Sequence, residues 1–188
     1  MKPNHFEALS SFDRIIITGG SSGIGAALLQ QLGKLTDNSQ FCNLSRSPVD
    51  DSLLPGRITS VPCDLSDRES SQQALSEALE WVHRHDRGGK ILLINNSGFG
   101  GYGTFPAPNI ERNRAMIDVN VNVPVEITGF FAEELRKAGG AVMNIASTAS
   151  FQPTPYLSTY GATKAFLLHW SLGLSQEWKN CGIQVLCV

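Results

Sequence analysis

The sequence predicts an α/β fold in which helices cover both faces of one doubly wound parallel sheet. Three observations support this prediction. Six short apolar runs alternate along the chain with segments of helical periodicity. The run at residues 91–94 has no polar alternation, as expected for a strand buried on both faces. A glycine-rich turn joins the first run to the first helix, as in open sheets that bind ligands beyond their strand ends.

Length and composition limit the possible functions. The 188 residues, 41% of them hydrophobic and 17% charged, fit a single domain spanning 1–188. A net charge of −2 gives no electrostatic reason to expect nucleic acid or an anionic membrane as partner. Residues 1–6 lack the apolar segment of a signal peptide, and no run approaches membrane-spanning length. Four cysteines without a CxxC motif predict free thiols and a cytoplasmic protein with no metal site.

The first strand, residues 14–18, leads directly into a turn with four glycines, residues 19–25, and then into a helix over 26–32. Glycines let the backbone turn tightly and approach a pyrophosphate. The helix start offers free N–H groups and the positive end of its dipole to an anion. Strand, glycine turn and helix together predict a nucleotide site. A tight turn without a ligand is the alternative.

The second strand, residues 40–44, ends in Ser45 and Arg46. In dinucleotide folds an acidic residue here binds the ribose 2′-hydroxyl of NAD, whereas an arginine suits the 2′-phosphate of NADP. Because no acidic residue occurs before Asp50, Arg46 favours NADP. The alternative is that Arg46 is only a solvated loop charge.

The third and fourth strands, residues 57–61 and 91–94, flank a helix that Ser66 or Asp67 can cap. The fourth strand runs into a glycine-rich loop over residues 98–103. Because ligands bind beyond the carboxyl ends of strands in such sheets, this loop is predicted to lie at the site.

A long helix is predicted over residues 109–137, interrupted by Pro124. Proline removes the hydrogen bond to the carbonyl four residues earlier, which belongs to Asn120. We therefore expect a kink that leaves this acceptor free. A kink that only wraps the helix around the sheet is the alternative.

The last part of the chain contains a fifth strand, residues 140–146, a helix that runs to about residue 179, and a sixth strand, 183–188. Tyr160 and Lys164 lie four residues apart on this helix and so share one face. A fixed ammonium near a phenol lowers the phenol pKa from about 10. The pair can therefore transfer protons, although an amphipathic surface has the same spacing.

Together these residues resemble the short-chain dehydrogenase/reductase family over nearly the whole chain. Residues 18–25 resemble its TGxxxGxG loop, and residues 95–98 resemble its NNAG motif, with Ser97 in place of alanine. The resemblance implies a Rossmann fold, an NAD(P)-dependent oxidoreductase that interconverts a carbonyl and a secondary alcohol, and a homodimer or homotetramer. The residues that fall at the positions of its Asn-Ser-Tyr-Lys tetrad are Asn120, Ser147, Tyr160 and Lys164.

The resemblance also implies roles. Tyr160 is the general acid or base, Lys164 lowers its pKa and holds the nicotinamide ribose, and Ser147 stabilises charge on the substrate oxygen. The Asn120 carbonyl holds a water that relays protons to the lysine. The implied cofactor-binding residues are Thr18, Gly19, Ser21, Ser22, Gly23, Ile24, Gly25, Ser45, Arg46, Asp64, Leu65, Asn96, Ser97, Gly98, Tyr160 and Lys164. For a partly apolar substrate, the expected lining is Phe99, Tyr102, Phe151, Pro153, Pro155 and Tyr156.

Members of this family continue past the sixth strand into a substrate-covering lid and a seventh strand. The present chain stops at residue 188, so we expect a C-terminally truncated form that catalyses poorly and is marginally soluble. The alternatives are an inactive fragment of the enzyme and a non-catalytic dinucleotide-binding protein, such as a redox sensor or scaffold. The intact tetrad argues against a pure binding protein.

Overall fold

The computed structural model describes residues 9–188, and the expectation drawn from residues 1–6 lies outside this range. The strands are β1 (Phe12–Thr18), β2 (Gln40–Ser45), β3 (Ile58–Pro62), β4 (Lys90–Asn95), β5 (Gly140–Asn144) and β6 (Ile183–Cys187). From residue 23 onward, the α-helices are α1 (Gly23–Leu35), α2 (Arg68–Arg84), α3 (Ile110–Ile117), α4 (Val123–Phe130), α5 (Ala132–Ala138) and α6 (Ser158–Trp178).

The six strands form one parallel sheet in the order β3-β2-β1-β4-β5-β6. The chain moves outward from β1 to β3 and then returns to the other side of β1 with β4. A crevice opens at this reversal, beyond the carboxyl ends of the strands, and it is where such sheets bind ligands. The predicted doubly wound α/β fold is confirmed.

The core lies on both faces of the sheet, and β1 shows why. Its three isoleucines, Ile15, Ile16 and Ile17, are all fully buried. Ile15 and Ile17 belong to the cluster that includes Leu29 of α1, whereas Ile16 belongs to the cluster with Trp81 of α2. Successive side chains of a strand point to opposite faces, so helices on both sides require an apolar residue at every position.

The long helix after Asn109 is more broken than predicted. It consists of α3, a π-helical turn (Asp118–Asn122), α4 and α5. In the π turn the N–H of Val123 reaches back five residues to the carbonyl of Asp118. Pro124 follows in the first turn of α4 and has no N–H to donate. The widened π turn therefore lies where the regular series of backbone hydrogen bonds between residues four apart is interrupted. That the Asn120 carbonyl is free stays a prediction.

The structure defines the end of one strand and the first residue of one helix more closely than the sequence does. Strand β5 ends at Asn144, two residues before the predicted end, although Ile145 N–H still bonds to Asn95 O. Of the two residues proposed to cap α2, Asp67 is the N-cap, and its carboxylate accepts from the Ser70 N–H at 2.7 Å.

Several properties bear on partners. No helix within residues 9–188 is both long and apolar enough to cross a membrane. In the same range, no three His, Cys, Asp or Glu side chains converge as a metal site requires. All four cysteines are free thiols. Burial, followed by the charge of Asp64, raises the pKa of Cys63 to about 11, which makes this thiol a poor nucleophile at neutral pH.

Candidate functional site

The turn between β1 and α1 is shaped by glycines that no other residue can replace without strain. Gly19 has a φ of +70°, which favours glycine. A Cβ atom on Gly25 would lie 2.1 Å from the carbonyl oxygen of Gly19. The start of α1 therefore packs directly on the backbone of the turn. Its first two residues, Gly23 and Ile24, line the crevice, where a helix start can hold an anion.

Thr18 and Asn96 join the turn to the end of β4. The Thr18 hydroxyl oxygen accepts hydrogen bonds from the backbone N–H of Asn96 at 3.0 Å and from that of Ser97 at 2.9 Å. The Asn96 amide donates to the carbonyls of Thr18 and Gly19 at 2.9 and 3.1 Å. These four bonds hold the two loops on either side of the strand-order reversal in one arrangement.

Asn43 supports the same turn from β2, and sequence reasoning missed it. Its side chain is fully buried, accepts from the Gly20 N–H at 2.7 Å and donates to the Ser45 hydroxyl at 2.8 Å. A polar amide in the middle of an apolar strand was the available signal, because a buried amide needs partners.

These loops surround a cleft of about 510 Å³. Twelve of the predicted cofactor residues line it, and they are Gly19, Ser21, Ser22, Gly23, Ile24, Ser45, Arg46, Asp64, Leu65, Asn96, Ser97 and Gly98. Thr18 and Gly25 are buried behind this surface. The cleft is thus built from the carboxyl ends of β1 to β4, and its glycine-shaped floor fits the pyrophosphate of a dinucleotide.

The charged groups of the cleft include Arg46 and Asp64, which lie at its β2 and β3 edge. Within residues 9–188, Arg46 makes no hydrogen bond or ion pair and is exposed. Hydrogen bonds from the Ser66 hydroxyl and backbone N–H, at 2.6 and 2.9 Å, lower the pKa of Asp64, and the positive charge of Arg46 adds to this. Asp64 is therefore an ionised acceptor at neutral pH.

Seven further lining residues were not predicted as cofactor contacts, and three of them, Ser47, Cys63 and Ser66, are close neighbours in the chain of predicted ones. Arg112, Ala115 and Val119 form one stripe of α3 and the π turn, and Phe99 meets this stripe from the loop after β4. The guanidinium carbon of Arg112 lies 3.9 Å from the centre of the Phe99 ring. The sequence shows that Arg112, Ala115 and Val119 are three and four residues apart and so share one helix face. It does not show that this face lines the cleft.

Asn120 and Lys164 meet at Gly98. Asn120 is fully buried; its side-chain oxygen accepts from the Phe99 N–H at 3.1 Å, and its amide donates to the Phe99 carbonyl and the Thr163 hydroxyl, both at 3.0 Å. A Cβ on Gly98 would lie 3.0 Å from the Asn120 oxygen and 3.3 Å from Lys164 Nζ. Lys164 Nζ donates to the carbonyl of Ile145 at 2.7 Å, and burial lowers its pKa.

Tyr160 lies one turn before Lys164 on α6, with its ring centre 5.9 Å from Lys164 Nζ. The ring packs on the glycine-rich loop, because a Cβ on Gly100 would lie 3.3 Å from the ring carbon Cδ2. Ser147 lies in the turn after β5, where its hydroxyl accepts from the Ala149 N–H at 3.2 Å. The structure thus brings Asn120, Tyr160 and Lys164 together around one loop.

The expected substrate lining divides into separate groups. Phe99 lines the cofactor cleft, and Tyr102 and Tyr156 pair with ring centres 5.7 Å apart. Phe151, Pro153 and Pro155 instead line a second cavity of about 560 Å³, together with Ser158, Gly161, Ala162 and Ala165 of α6. On a helix with 3.6 residues per turn, the mean direction of these four positions is about 130° from that of Tyr160 and Lys164. The second cavity therefore lies on a different face of α6 from the tyrosine.

Comparison with known proteins agrees with this geometry. The family model for short chain dehydrogenase matches residues 13–188. A serine 3-dehydrogenase from Rhizobium radiobacter is 29% identical over 180 residues, which cover 93% of this chain and 69% of the relative. Of other curated relatives, the chain spans as little as 51%.

Solved structures give the same result. The bulky-bulky ketone specific alcohol dehydrogenase from Comamonas testosteroni superposes with a TM-score of 0.82 at 27% identity, over 95% of this chain and 72% of the other. A metagenomic short-chain oxidoreductase in complex with NADP has a TM-score of 0.82 at 26% identity, over 95% and 82%. This chain belongs to the short-chain dehydrogenase family of NAD(P)-dependent oxidoreductases.

Proposed function

We propose that the protein is an NADP-preferring oxidoreductase that interconverts a small-molecule carbonyl and the corresponding secondary alcohol. The observation that carries this proposal is the convergence of Tyr160, Lys164 and Asn120 on the loop at Gly98–Gly100, next to a cleft shaped for a dinucleotide. When bound, the nicotinamide accepts or supplies the hydride. The chain's own residues supply binding, orientation and proton transfer.

Tyr160 is the proposed general acid and base, which exchanges a proton with the carbonyl or alcohol oxygen of the substrate. Lys164 is proposed to hold the ribose hydroxyls through its ammonium, which the Ile145 carbonyl already orients. Ser147 is proposed to donate to the substrate oxygen. Asn120 fixes the Phe99 backbone and so the loop against which both Tyr160 and Lys164 pack.

For the cofactor, we propose that Arg46 contacts the 2′-phosphate of NADP and that Asp64 accepts from the adenine amino group. The support is that Arg46 makes no hydrogen bond or ion pair within the described chain, although it lies at the end of β2 in the cleft. A guanidinium suits a phosphate because it offers several N–H donors in one plane.

The first test is a titration of the purified protein with NADPH and NADH, followed by tryptophan quenching. We expect tighter NADPH binding, and Arg46→Asp should remove that preference by weakening NADPH alone. Equal affinities in the native protein would reject the proposed 2′-phosphate contact. Absence of binding for both cofactors would reject the nucleotide site itself.

The second test separates an enzyme from a non-catalytic dinucleotide-binding protein. Tyr160→Phe keeps the ring that packs on Gly100 but removes the hydroxyl. With a panel of ketones and secondary alcohols, we expect turnover by the native protein and none by the variant, with unchanged NADPH affinity. If the native protein binds NADPH but turns over no member of the panel, the binding-protein alternative gains support.

For the substrate side, we propose that Tyr102 and Tyr156 contact a partly apolar substrate. Both are exposed, at 75% and 53%, and Tyr156 has a φ of +66°, which is strained for a residue with a side chain. The Gly103 N–H donates to the Tyr156 carbonyl at 2.9 Å, so the two loops are joined beside Tyr160. Tyr156→Ala should change substrate preference without changing NADPH affinity, and unchanged kinetics would reject this assignment.

We also propose a cytoplasmic homodimer or homotetramer. The free thiols suit a reducing compartment. Large apolar side chains are exposed on α4 and α6, among them Phe130 at 41% and Leu172 at 59%. Burying such faces between copies would gain free energy. Sedimentation equilibrium of the purified protein tests this, and a monomer at all concentrations would contradict it.

A further inference from the structure

The cofactor cleft contains an arginine that the proposed function does not use. Arg112 is the third residue of α3, lines the cleft and holds its guanidinium over the Phe99 ring at 3.9 Å. Within residues 9–188, this ring contact is its side chain's only interaction, since the guanidinium makes no ion pair and no hydrogen bond. The guanidinium is therefore held against the ring, and its N–H groups stay available to a ligand.

The position of Arg112 is unfavourable for the helix itself. Asn109 caps α3 by accepting from the Arg112 N–H at 2.7 Å, so the arginine lies in the first turn. The helix dipole places positive charge there, and a cation in the first turn is destabilising. A bound anion would relieve this cost. The ring of Phe99 meanwhile limits the rotamers of the arginine, because a cation is attracted to the face of an aromatic ring.

We propose that Arg112 is a second anion-binding residue of the cleft and that it contacts the pyrophosphate of the bound dinucleotide. This inference rests on the proposed cofactor site. Phe99 follows β4, whereas Arg46 follows β2, and β1 with its glycine turn lies between these strands. Strands β2 and β4 are two strand spacings apart, about 10 Å. The glycine turn at the start of α1 is where a pyrophosphate binds, and Arg112 approaches that region from the side opposite Arg46.

This placement distinguishes the two arginines by what they recognise. The 2′-phosphate is present only in NADP, so Arg46 should affect NADPH alone. The pyrophosphate is common to NADP and NAD, so Arg112 should contribute equally to both. Arg112 also shares its cleft with the glycine turn, not with the second cavity at Phe151. Its anion is therefore assigned to the cofactor and not to a substrate.

The test is titration of NADPH and NADH against Arg112→Met, Arg112→Lys and the control Arg114→Met. Methionine keeps an unbranched side chain on the Phe99 ring but removes the charge, and Arg114 is an exposed arginine of the same helix that does not line the cleft. We expect Arg112→Met to weaken the binding of both cofactors by the same factor, roughly 10- to 100-fold for one charge-assisted hydrogen bond. Arg112→Lys should recover part of the loss, and Arg114→Met should bind as the native protein does.

The outcomes separate this inference from the proposed function. The loss in Arg112→Met should also shrink at high salt, since it is electrostatic. A loss confined to NADPH would show a 2′-phosphate contact and overturn the assignment to the pyrophosphate. Native affinity of Arg112→Met for both cofactors would overturn the role altogether, while leaving the proposed function intact. Failure of the native protein to bind either cofactor would instead overturn the proposed site.

Discussion

Replacing Gly25 by alanine tests whether the glycine turn is as tightly packed as the structure indicates. The new Cβ would lie 2.1 Å from the Gly19 carbonyl oxygen and 2.6 Å from Asn96 Nδ2. Ordinary contact begins at 3.4 Å, so the Gly19 carbonyl and the start of α1 must move apart by more than 1 Å. Because the nearest atom belongs to the backbone, the movement cannot be absorbed by a side-chain rotation.

The expected cost follows from two contributions. Overpacking of this kind destabilises by about 1–3 kcal/mol, and loss of the Asn96 hydrogen bond to the Gly19 carbonyl adds about 1 kcal/mol. The higher helix propensity of alanine offsets up to about 1 kcal/mol. The free energy of unfolding should therefore fall by about 1–3 kcal/mol, which for a chain of this size lowers Tm by roughly 2–12 °C.

Urea denaturation and NADPH titration together measure this effect. Gly173→Ala is the matched control, since Gly173 lies within α6 and a Cβ there meets no atom within 4 Å. The control should be stabilised by about 0.5–1 kcal/mol. Gly25→Ala should also bind NADPH more weakly, because the Gly19 peptide forms part of the cleft. Gly25→Ala with the native urea midpoint and NADPH affinity would refute the packing argument.

Three further predictions concern the polar groups around the site. Thr18→Val removes the oxygen that accepts from the N–H groups of Asn96 and Ser97, and should lower the free energy of unfolding by about 2–4 kcal/mol in urea denaturation. Thr18→Ser keeps a hydroxyl and should retain most of that stability. Equal stability of the two variants would contradict this. Asn144→Ala breaks the buried chain in which the Asn144 oxygen accepts from Asn95 and its amide donates to the Ser171 hydroxyl, and should cost about 1–3 kcal/mol by the same assay. Lys164 has a folded-state pKa below its ordinary value of 10.5. Between these two values the unfolded chain binds more protons than the folded one, so the free energy of unfolding should rise as the pH increases toward 10.5. The same stability should be lost as the pH falls through the folded-state pKa. Urea midpoints across this range should show a rise that Lys164→Met lacks, and parallel profiles would argue against a buried ammonium.

Local sequence was enough to predict the elements and the motifs. The run of three isoleucines in β1, followed at once by a glycine turn, predicts a buried strand, and the two core clusters show that both of its faces are covered. The glycine turn, the NNSG segment and the Tyr160–Lys164 spacing each depend on neighbours a few residues away, so they could be recognised without a structure. The cap of α2 was limited to Ser66 or Asp67 for the same reason, since a capping bond reaches only three residues along the chain, and the structure identifies Asp67.

Tertiary structure alone decided which distant residues meet. Asn43 reaches Gly20 across 23 residues, and Asn120 reaches Thr163 across 43, because sheet order and helix packing bring their elements together. The same packing directs Arg112 and Phe99 into the cofactor cleft and places Phe151 in a cavity on a different face of α6 from Tyr160. Periodicity determines the face of an element on which a residue lies, but only the assembled sheet determines what that face contacts. In this protein, local patterns were therefore enough to predict the fold and the family motifs, whereas the packing of helices on the sheet determines which charges and rings share the site.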